Sequence, residues 1–392
     1  MIETKPFPSK KTVPFSVVYV ILYMMVYTNE VAAETAVLVG LAKNSVQKKE
    51  IKSSLNELAE LAASAGAAVA DQIVQTRYPD SKYYIGKGLV ERLKTDIEAN
   101  GTNLVIFDDP LSPAQQRNLE EALEVKVIDR SILILAIFAL HARTAAAKLQ
   151  VELAQLEYLL PRLTRAWTHF SRQYGGTGIG TRGPGETQLE IDRRRVRQKI
   201  AHLKKELERL GRQRETQRRA RQNMFKVSLV GYTNAGKSTL FNRLTKSSVT
   251  IANALFTTLD STTRVMSSGF PEKIIFTDTV GFINKLPHQL VASFKSTLEE
   301  VTVADLLLHV IDISDPGYAE KALQTERVLS EIGGHKIDKI LVYNKIDSLE
   351  EAFQNDPNNH GIFHVSALKE IGLDDLRSEL STRLQLFFCR HR

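Results

Sequence analysis

The stretch Gly231-Tyr-Thr-Asn-Ala-Gly-Lys-Ser238 decides the fold of this chain. It follows an apolar, β-branched run, Phe225-Lys-Val-Ser-Leu-Val230, and precedes Thr239-Leu-Phe-Asn-Arg-Leu244, which can begin a helix. A G-x-x-x-x-G-K-S loop between a strand and a helix is typical of a phosphate-binding loop, because its glycines let backbone N–H groups converge on phosphate oxygens. The helix N-terminus adds the positive end of its dipole. The sequence therefore predicts a nucleotide-binding α/β domain.

Two side chains of this loop have defined chemical tasks. Lys237 can reach the β- and γ-phosphates of a bound nucleotide and stabilise the charge that develops during phosphoryl transfer. Ser238 can give its hydroxyl oxygen to Mg²⁺. The predicted nucleotide-binding set contains every residue of the motif and the one after it: Gly231, Tyr232, Thr233, Asn234, Ala235, Gly236, Lys237, Ser238 and Thr239.

Three further motifs follow in the order that GTPases show, each after an apolar run. In Asp278-Thr-Val-Gly281 the carboxylate would hold Mg²⁺ through water, and the Gly281 N–H would contact the γ-phosphate. Asp347, in Asn344-Lys-Ile-Asp347, can accept two hydrogen bonds from guanine N1 and N2, a donor pair that adenine lacks. The backbone of Ser366-Ala-Leu368 would contact guanine O6. The predicted contacts are Asp278, Thr279, Val280, Gly281, Asn344, Lys345, Ile346, Asp347, Ser366, Ala367 and Leu368.

These motifs predict an enzyme that binds GTP and GDP and hydrolyses GTP, and such an enzyme needs a loop that responds to the γ-phosphate. Phe256-Thr-Thr-Leu-Asp260 lies in the appropriate stretch, and we assign Thr258 as the second protein ligand of Mg²⁺, with Thr257 as the alternative. The predicted contacts in this segment are Phe256, Thr257, Thr258, Leu259 and Asp260. The predicted catalytic set is Lys237, Thr258 and Gly281, and the predicted metal set is Ser238, Thr258 and Asp278. Because Phe282 stands where many GTPases have the glutamine that orients the attacking water, intrinsic hydrolysis should be slow and depend on a partner or an extra cation.

The N-terminal part of the chain alternates between strand and helix patterns. Ala36-Val-Leu-Val-Gly-Leu41 and Asn103-Leu-Val-Ile-Phe107 predict strands, whereas Glu50–Ala65 has apolar residues at helical spacing. This alternation predicts an α/β domain with a parallel sheet flanked by helices. We place it at residues 35–142, and a Ras-like P-loop domain at residues 223–388.

Residues 143–222, between these domains, show the pattern of two long helices. Apolar residues repeat at spacings of three and four in both halves, which predicts an antiparallel helical hairpin. Residues 174–186, at the break, contain six glycines and should form its tip. Residues 193–221 hold 13 Lys/Arg and 3 acidic residues, in a chain whose net charge is +7. A basic arm of this kind predicts a polyanionic partner, with nucleic acid the first candidate.

Residues 1–34 differ from the rest of the chain. An uncharged apolar run, residues 13–27, follows three lysines, a pattern typical of a signal peptide or a membrane-contacting segment. A buried strand or helix, or a mis-chosen start codon, are the alternatives. The single cysteine, Cys389, excludes an internal disulfide and fits a reducing compartment. We therefore expect a cytoplasmic monomer, with weak membrane association through residues 13–27 as an open alternative.

Longer stretches of the sequence resemble one family. They are Tyr84–Gly88, Leu111–Leu119, Lys148–Leu156, Tyr158–Leu163, Gly178–Glu190, Gly231–Thr239, Asp278–Phe282 and Ala304–Asp312. In these stretches the sequence is similar to the HflX-type GTPases, which belong to the Obg-related group of translation-factor GTPases. The resemblance covers roughly residues 36–385, and the chain departs from the family in its apolar first 34 residues and in ending soon after Leu386.

The resemblance implies a GTPase that binds the large (50S) ribosomal subunit, with its helical arm reaching towards the peptidyl-transferase centre. It implies a role in splitting or rescuing ribosomes, or in their assembly. In related GTPases an asparagine at the position of Asn234 helps to hold K⁺, so stimulation by K⁺ is a hypothesis for this chain. The residues leave open a membrane-associated signalling GTPase, a nucleotide-gated RNA-binding module and an RNA remodeller that uses ATP.

Overall fold

The computed structural model describes residues 34–166, 184–219, 224–246, 256, 262–267, 273–285, 300–349 and 361–391. In these ranges the chain forms a four-stranded sheet, a pair of long helices and a six-stranded sheet, in that order along the sequence. The predicted α/β class, with a parallel sheet in the N-terminal domain, is confirmed.

The N-terminal domain is a parallel sheet with helices on both faces. Its elements are β1 (Thr35–Ala42), α1 (Gln47–Ser64), β2 (Ala68–Thr76), α2 (Lys87–Asn100), β3 (Leu104–Phe107), α3 (Pro113–Leu123), β4 (Lys126–Asp129) and α4 (Arg130–His141). The strand order is β2-β1-β3-β4. Alternate residues of β1 enter opposite cores, because side chains of a strand point to alternate faces. Leu38 packs with leucines of α1 and α4, and Val39 packs with residues of α2 and α3.

Two long helices form the arm. They are α5 (Ala145–Ala166) and α6 (Pro184–Arg219). Their apolar seams meet, with Leu153 of α5 in one cluster with Leu203 of α6, as the heptad-like spacing predicts. Helix α6 begins at Pro184, so residues 184–186 are helical and do not belong to the predicted tip. Proline is favoured in the first helical turn because its missing N–H would have no helical partner there. The rest of the tip, residues 174–183, lies outside the described residues.

The C-terminal domain is built on a six-stranded sheet. Its elements are β5 (Phe225–Gly231), α7 (Lys237–Thr245), β6 (Thr262–Ser267), β7 (Lys273–Asp278), β8 (Leu306–Asp312), α8 (Tyr318–Glu331), β9 (Lys339–Asn344), β10 (Ile362–His364) and α9 (Leu373–His391). The strand order is β10-β9-β8-β5-β7-β6, and β6 is antiparallel to β7 while the other pairs are parallel. The carboxyl ends of β5, β7 and β9 therefore meet at one edge, where open α/β sheets bind ligands.

The helices in the described part of the chain include none that is long and apolar enough to cross a membrane. Residues 1–33, which carry the predicted apolar run, lie outside the described residues. Membrane contact through residues 13–27 therefore stays a prediction.

Candidate nucleotide-binding site

The Gly-rich loop joins β5 to α7 at the carboxyl edge of the larger sheet. Gly231 has φ +148°, and a Cβ there would lie 2.2 Å from the carbonyl oxygen of Val310. Gly236 has φ +89°, and a Cβ there would lie 2.2 Å from the amide nitrogen of Asn344. Both positions need glycine because the conformation is left-handed and because a neighbouring strand passes very close. The glycine spacing of the motif is thus a requirement of this loop.

Lys237 begins α7 and is buried beneath the loop. Its Nζ donates hydrogen bonds to the carbonyl oxygens of Tyr232 (2.6 Å) and Gly231 (3.2 Å). An ammonium group has three donors, so this arrangement leaves one N–H for a phosphate oxygen. Burial lowers the pKa of Lys237 to about 8, although the nearby Asp278 carboxylate acts in the opposite direction. The loop therefore orients a cation whose charge a phosphate would stabilise.

Ser238 and Asp278 come together next to this lysine. The Ser238 hydroxyl donates to Oδ2 of Asp278 at 2.6 Å, and Asp278 is fully buried at the end of β7. A hydroxyl and a carboxylate form an all-oxygen donor set, which suits Mg²⁺. The structure thus brings together two of the three residues predicted to hold the metal. The third, Thr258, lies outside the described residues, as do Thr257, Leu259 and Asp260.

Gly281 and Phe282 lie directly against the loop. The Phe282 N–H donates to the Gly231 carbonyl (3.1 Å), and the Phe282 carbonyl accepts from the Thr233 N–H (2.8 Å). A Cβ at Gly281 would lie 2.9 Å from Lys237 Nζ and 2.8 Å from Thr233 Cα. The Gly281 backbone therefore lies beside the Lys237 ammonium, the group that was predicted to bind phosphate. The Phe282 side chain is 3% exposed and packs into the domain core.

The two predicted base-recognition motifs meet at the same edge. The Asn344 side chain donates to the carbonyl of Ala235 (2.9 Å) and accepts from the Ala367 N–H (3.0 Å), so it ties the phosphate loop to the last motif. The Ser366 hydroxyl donates to Oδ1 of Asp347 at 2.6 Å, which orients this carboxylate. The sequence motifs, which extend from Gly231 to Leu368, thus form one contiguous site.

The other predicted contacts in the described residues occupy this edge in different environments. Buried positions are Thr233, Ala235, Thr279, Val280, Ile346 and Ala367, and exposed positions are Asn234 and Leu368. Lys345 has φ +67°, and its ammonium pairs with Asp312 at 2.6 Å. This ion pair connects the predicted base-recognition loop to the end of β8. Thr239 lies in the first turn of α7.

The N-terminal domain contacts this site through Tyr232 and Phe256, which no sequence pattern indicated. The Tyr232 hydroxyl donates to Oε1 of Glu57 in α1 at 2.7 Å. Phe256 is 3% exposed, and its ring meets that of Phe138 in α4 edge to face, with centroids 4.6 Å apart. Tyr232 and Phe256, which were among the predicted nucleotide contacts, therefore also contact the N-terminal domain.

A third contact joins Lys285 to the end of β3. Its Nζ lies 2.5 Å from Oδ2 of Asp108 and 2.6 Å from Oδ1 of Asp109. The one sequence signal for this contact is the pair of acidic residues at the carboxyl end of a parallel strand, the usual position of functional groups in such sheets. Their partner, far away in the sequence, could not be deduced from it.

These features have the arrangement of a P-loop GTPase: a glycine-rich loop over a buried lysine, the Ser238–Asp278 pair beside it, and an aspartate oriented by Ser366. Three family profiles match consecutive parts of the chain: "GTP-binding GTPase N-terminal" over residues 52–139, "GTP-binding GTPase Middle Region" over 141–221 and "50S ribosome-binding GTPase" over 226–345. Together they span both domains and the arm.

Relatives with the same organisation are similar over most of the chain. The GTPase HflX of Caldanaerobacter subterraneus is 48% identical over 354 residues, 90% of this chain and 81% of the relative. That of Escherichia coli is 46% identical over 367 residues, 92% of this chain and 85% of the relative. The solved GDP complex of a protein named SsGBP matches with a TM-score of 0.50 and 26% identity, over 90% of this chain and 99% of that one. The chain belongs to the HflX family of GTPases, so it binds guanine nucleotides and hydrolyses GTP.

Proposed function

We propose that this GTPase acts on the large ribosomal subunit, which its GTP-bound form binds through the arm and its GDP-bound form releases. The observation that carries the proposal is the row of exposed cations along α6: Arg194, Arg195, Arg197, Lys199, Lys204, Lys205, Arg209 and Arg212. The match of residues 226–345 to a profile described as a 50S ribosome-binding GTPase supports the same partner.

The cations of this row are not equally available to bind the phosphates of an RNA partner. Lys199 and Lys204 pair with glutamates of α5, Glu152 at 3.1 Å and Glu157 at 2.8 Å, which fixes the two helices against each other. Arg194 and Arg197, near the end of α6 that leads to the predicted tip, line a surface depression together with Arg193 and Glu190. Exposed guanidinium groups match phosphate oxygens in bidentate geometry, so these arginines are suited to an RNA backbone.

In the proposed reaction, water attacks the γ-phosphorus of bound GTP while the bond to the β–γ bridging oxygen breaks, and GDP, inorganic phosphate and a proton are released. Mg²⁺, held by Ser238, Thr258 and water on Asp278, would neutralise charge on the phosphates. Lys237 and the Gly281 N–H stabilise the charge that develops on the γ-phosphate oxygens. Asn234, exposed at the crest of the loop, remains the candidate for a K⁺ site; equal turnover in Na⁺ and K⁺ would remove that hypothesis.

The test compares GTP turnover with and without purified large ribosomal subunits for the wild-type chain and for the double variant Arg194→Glu/Arg197→Glu. We expect stimulation by subunits that the double variant loses, while its basal turnover is unchanged. The matched control is Arg92→Glu, which reverses an exposed charge in the N-terminal domain and should keep the stimulation. If RNA phosphates are bound, stimulation also falls steeply with salt. Intact GTP binding without any stimulation would show that the partner is wrong.

Separation of intact ribosomes on a density gradient distinguishes a role in splitting from one in assembly. Splitting requires that the GTP-bound protein shifts intact ribosomes to free subunits, whereas an assembly factor binds immature large subunits and leaves mature ribosomes whole. The membrane alternative is tested by co-sedimentation with anionic lipid vesicles, using the full chain beside one that begins at Ala36. Competition between GTP and ATP tests the ATP-dependent alternative.

A further inference from the structure

The contact between the domains is organised around Arg130, which is 1% exposed. Its Nε and Nη2 donate to Oδ1 of Asp108 at 3.0 and 2.6 Å, and Nη2 also donates to the Ser54 carbonyl at 2.8 Å. Its Nη1 lies 3.6 Å from Oε2 of Glu57. One buried guanidinium group therefore holds two acidic residues, Glu57 and Asp108, that contact the GTPase domain.

Arg130 and its partners Ser54, Glu57 and Asp108 form a buried cluster. Asp108 of this cluster holds the segment that follows Gly281. Asp108 is completely buried, and burial opposes its ionisation, but Arg130 and Lys285 outweigh this effect and hold the pKa of Asp108 below its usual value. Asp109 adds a second carboxylate, and the Tyr84 hydroxyl donates to it at 2.6 Å. Lys285 is thus clamped between two carboxylates that the rest of the domain fixes in place.

Glu57, the other acidic partner of Arg130, holds the phosphate loop. The Tyr232 hydroxyl donates to Glu57 and accepts from the backbone N–H of Asn284 at 2.7 Å. Burial raises the pKa of Glu57, while Arg130 and the Tyr232 hydroxyl act against this rise. A single hydroxyl group therefore joins three parts of the molecule: the phosphate loop, the segment after Gly281 and the N-terminal domain.

The residue before Arg130 is attached to the arm. Asp129 accepts hydrogen bonds through Oδ1 from the Ile132 N–H at 3.0 Å, which caps α4, and through Oδ2 from the Tyr158 hydroxyl of α5 at 2.7 Å. Arg162, one turn further along α5, lies over the Tyr158 ring at 3.4 Å and 3.5 Å from Asp129. Arg130 thus contacts the acidic residues that hold the GTPase site, and Asp129 beside it contacts the second half of α5.

We propose that Glu57, Asp108 and Asp109 are positioning residues of the GTPase site, and that Asp129 and Arg130 transmit the position of residues 281–285 to α5 at Tyr158 and Arg162. In GTPases the segment after the Asp-x-x-Gly motif moves when the γ-phosphate arrives or leaves. Breaking a buried ion pair is costly, so a shift of Lys285 moves the carboxylates with it. The inference goes beyond the proposed function, because it concerns coupling within the chain and needs no ribosome.

Hydrogen exchange of the full chain, with GDP and with a non-hydrolysable GTP analogue, tests this coupling. In the wild-type protein we expect a nucleotide-dependent difference both in residues 279–285 and in the part of α5 around Tyr158. In Lys285→Met the difference in α5 disappears. Affinity for the analogue also falls about fivefold, the lower end of typical coupling energies, while GDP affinity stays within about twofold. Lys285→Arg, which keeps the charge, restores both properties.

Lys339→Met is the matched control, since Lys339 forms an equally short ion pair with Glu326 (2.6 Å) within the GTPase domain. It should behave as wild type in both measurements. Asp109→Asn, at a partly exposed position, is a second variant that should reduce the α5 response without unfolding the domain. The proposal is overturned if α5 exchanges equally in the two nucleotides in the wild type, or if Lys285→Met keeps the full response. Neither result depends on whether ribosomes stimulate turnover.

Discussion

Replacing Arg130 by methionine tests how strongly the buried cluster stabilises the N-terminal domain. Methionine fills much of the same space but removes the hydrogen bonds to Asp108 and Ser54. It leaves a carboxylate at 0% exposure, and among the described residues Lys285 and the Ser54 hydroxyl remain as its side-chain donors. Removal of one partner from a buried ion pair typically costs about 3–5 kcal/mol. Because Lys285 and Ser54 remain, we expect a loss of about 3 kcal/mol, at the lower end of that range.

The assay is urea titration followed by hydrogen exchange in β3 and β4, so that unfolding of the N-terminal domain is measured separately from that of the GTPase domain. Arg92→Met is the control, because Arg92 is 69% exposed in its ion pair and should change stability by under about 0.5 kcal/mol. Adding Asp108→Asn to Arg130→Met should recover part of the loss by removing the unpaired charge. A loss of unfolding free energy below about 1 kcal/mol, or no recovery in the double variant, would refute the assignment of Arg130 as the residue that stabilises the buried cluster.

Three further predictions concern the nucleotide site. The pKa of Lys237 is about 8 in the free protein, so its ammonium is charged below that pH and phosphate binding favours the charged form. GDP affinity should therefore fall as pH rises through about 8, by up to about tenfold per unit; a flat profile from pH 7.5 to pH 9 contradicts this. Asp347→Asn should weaken GTP binding by about 2 kcal/mol, roughly 30-fold, by removing a charged acceptor, and should improve xanthosine triphosphate relative to GTP in competition binding. Phe282→Gln should not raise intrinsic turnover, because the side chain points into the core, and should lower stability by about 1–3 kcal/mol through burial of an amide; turnover tenfold above wild type would show that the side chain can reach the water.

The sequence predicted those parts of the site that depend on local geometry. The loop glycines are needed for their own backbone angles and for close approach of a neighbouring strand, so their spacing is visible in the chain itself. Strand patterns placed Asp278 and Asn344 at the ends of β7 and β9, because parallel strands present their carboxyl ends at one edge. The two helices of the arm were also predicted from the spacing of their apolar residues. The beginning of α6 was missed because the glycines nearby outweighed the signal of Pro184 at a first helical turn.

The interdomain contacts could not have been predicted in the same way. Tyr232 and Glu57 are 175 residues apart in the sequence, and Lys285 and Asp108 are 177 apart. Periodicity describes which face of an element is buried, but it carries no information about which distant side chain completes an ion pair. Tyr232 was predicted only as a residue of the phosphate loop, since its backbone belongs to the motif. Its hydroxyl, which reaches away from the motif, has the interdomain role.

The burial of Phe282 explains why this site should depend on something outside it. Its side chain packs with Val230 and Val301, while its backbone pairs with Gly231 and Thr233. The backbone of Phe282 therefore attaches the segment after Asp278 to the phosphate loop. Its side chain offers no group that could orient the attacking water. We therefore expect that a group which completes the site enters from the exposed side, either as a cation beside Asn234 or as part of a bound partner. If the partner also holds the arm, the contacts of Arg130 and Asp129 would connect both sites through the N-terminal domain. A ribosome that engages the arm would then act on residues 281–285 through the ion pairs of Arg130 and Lys285.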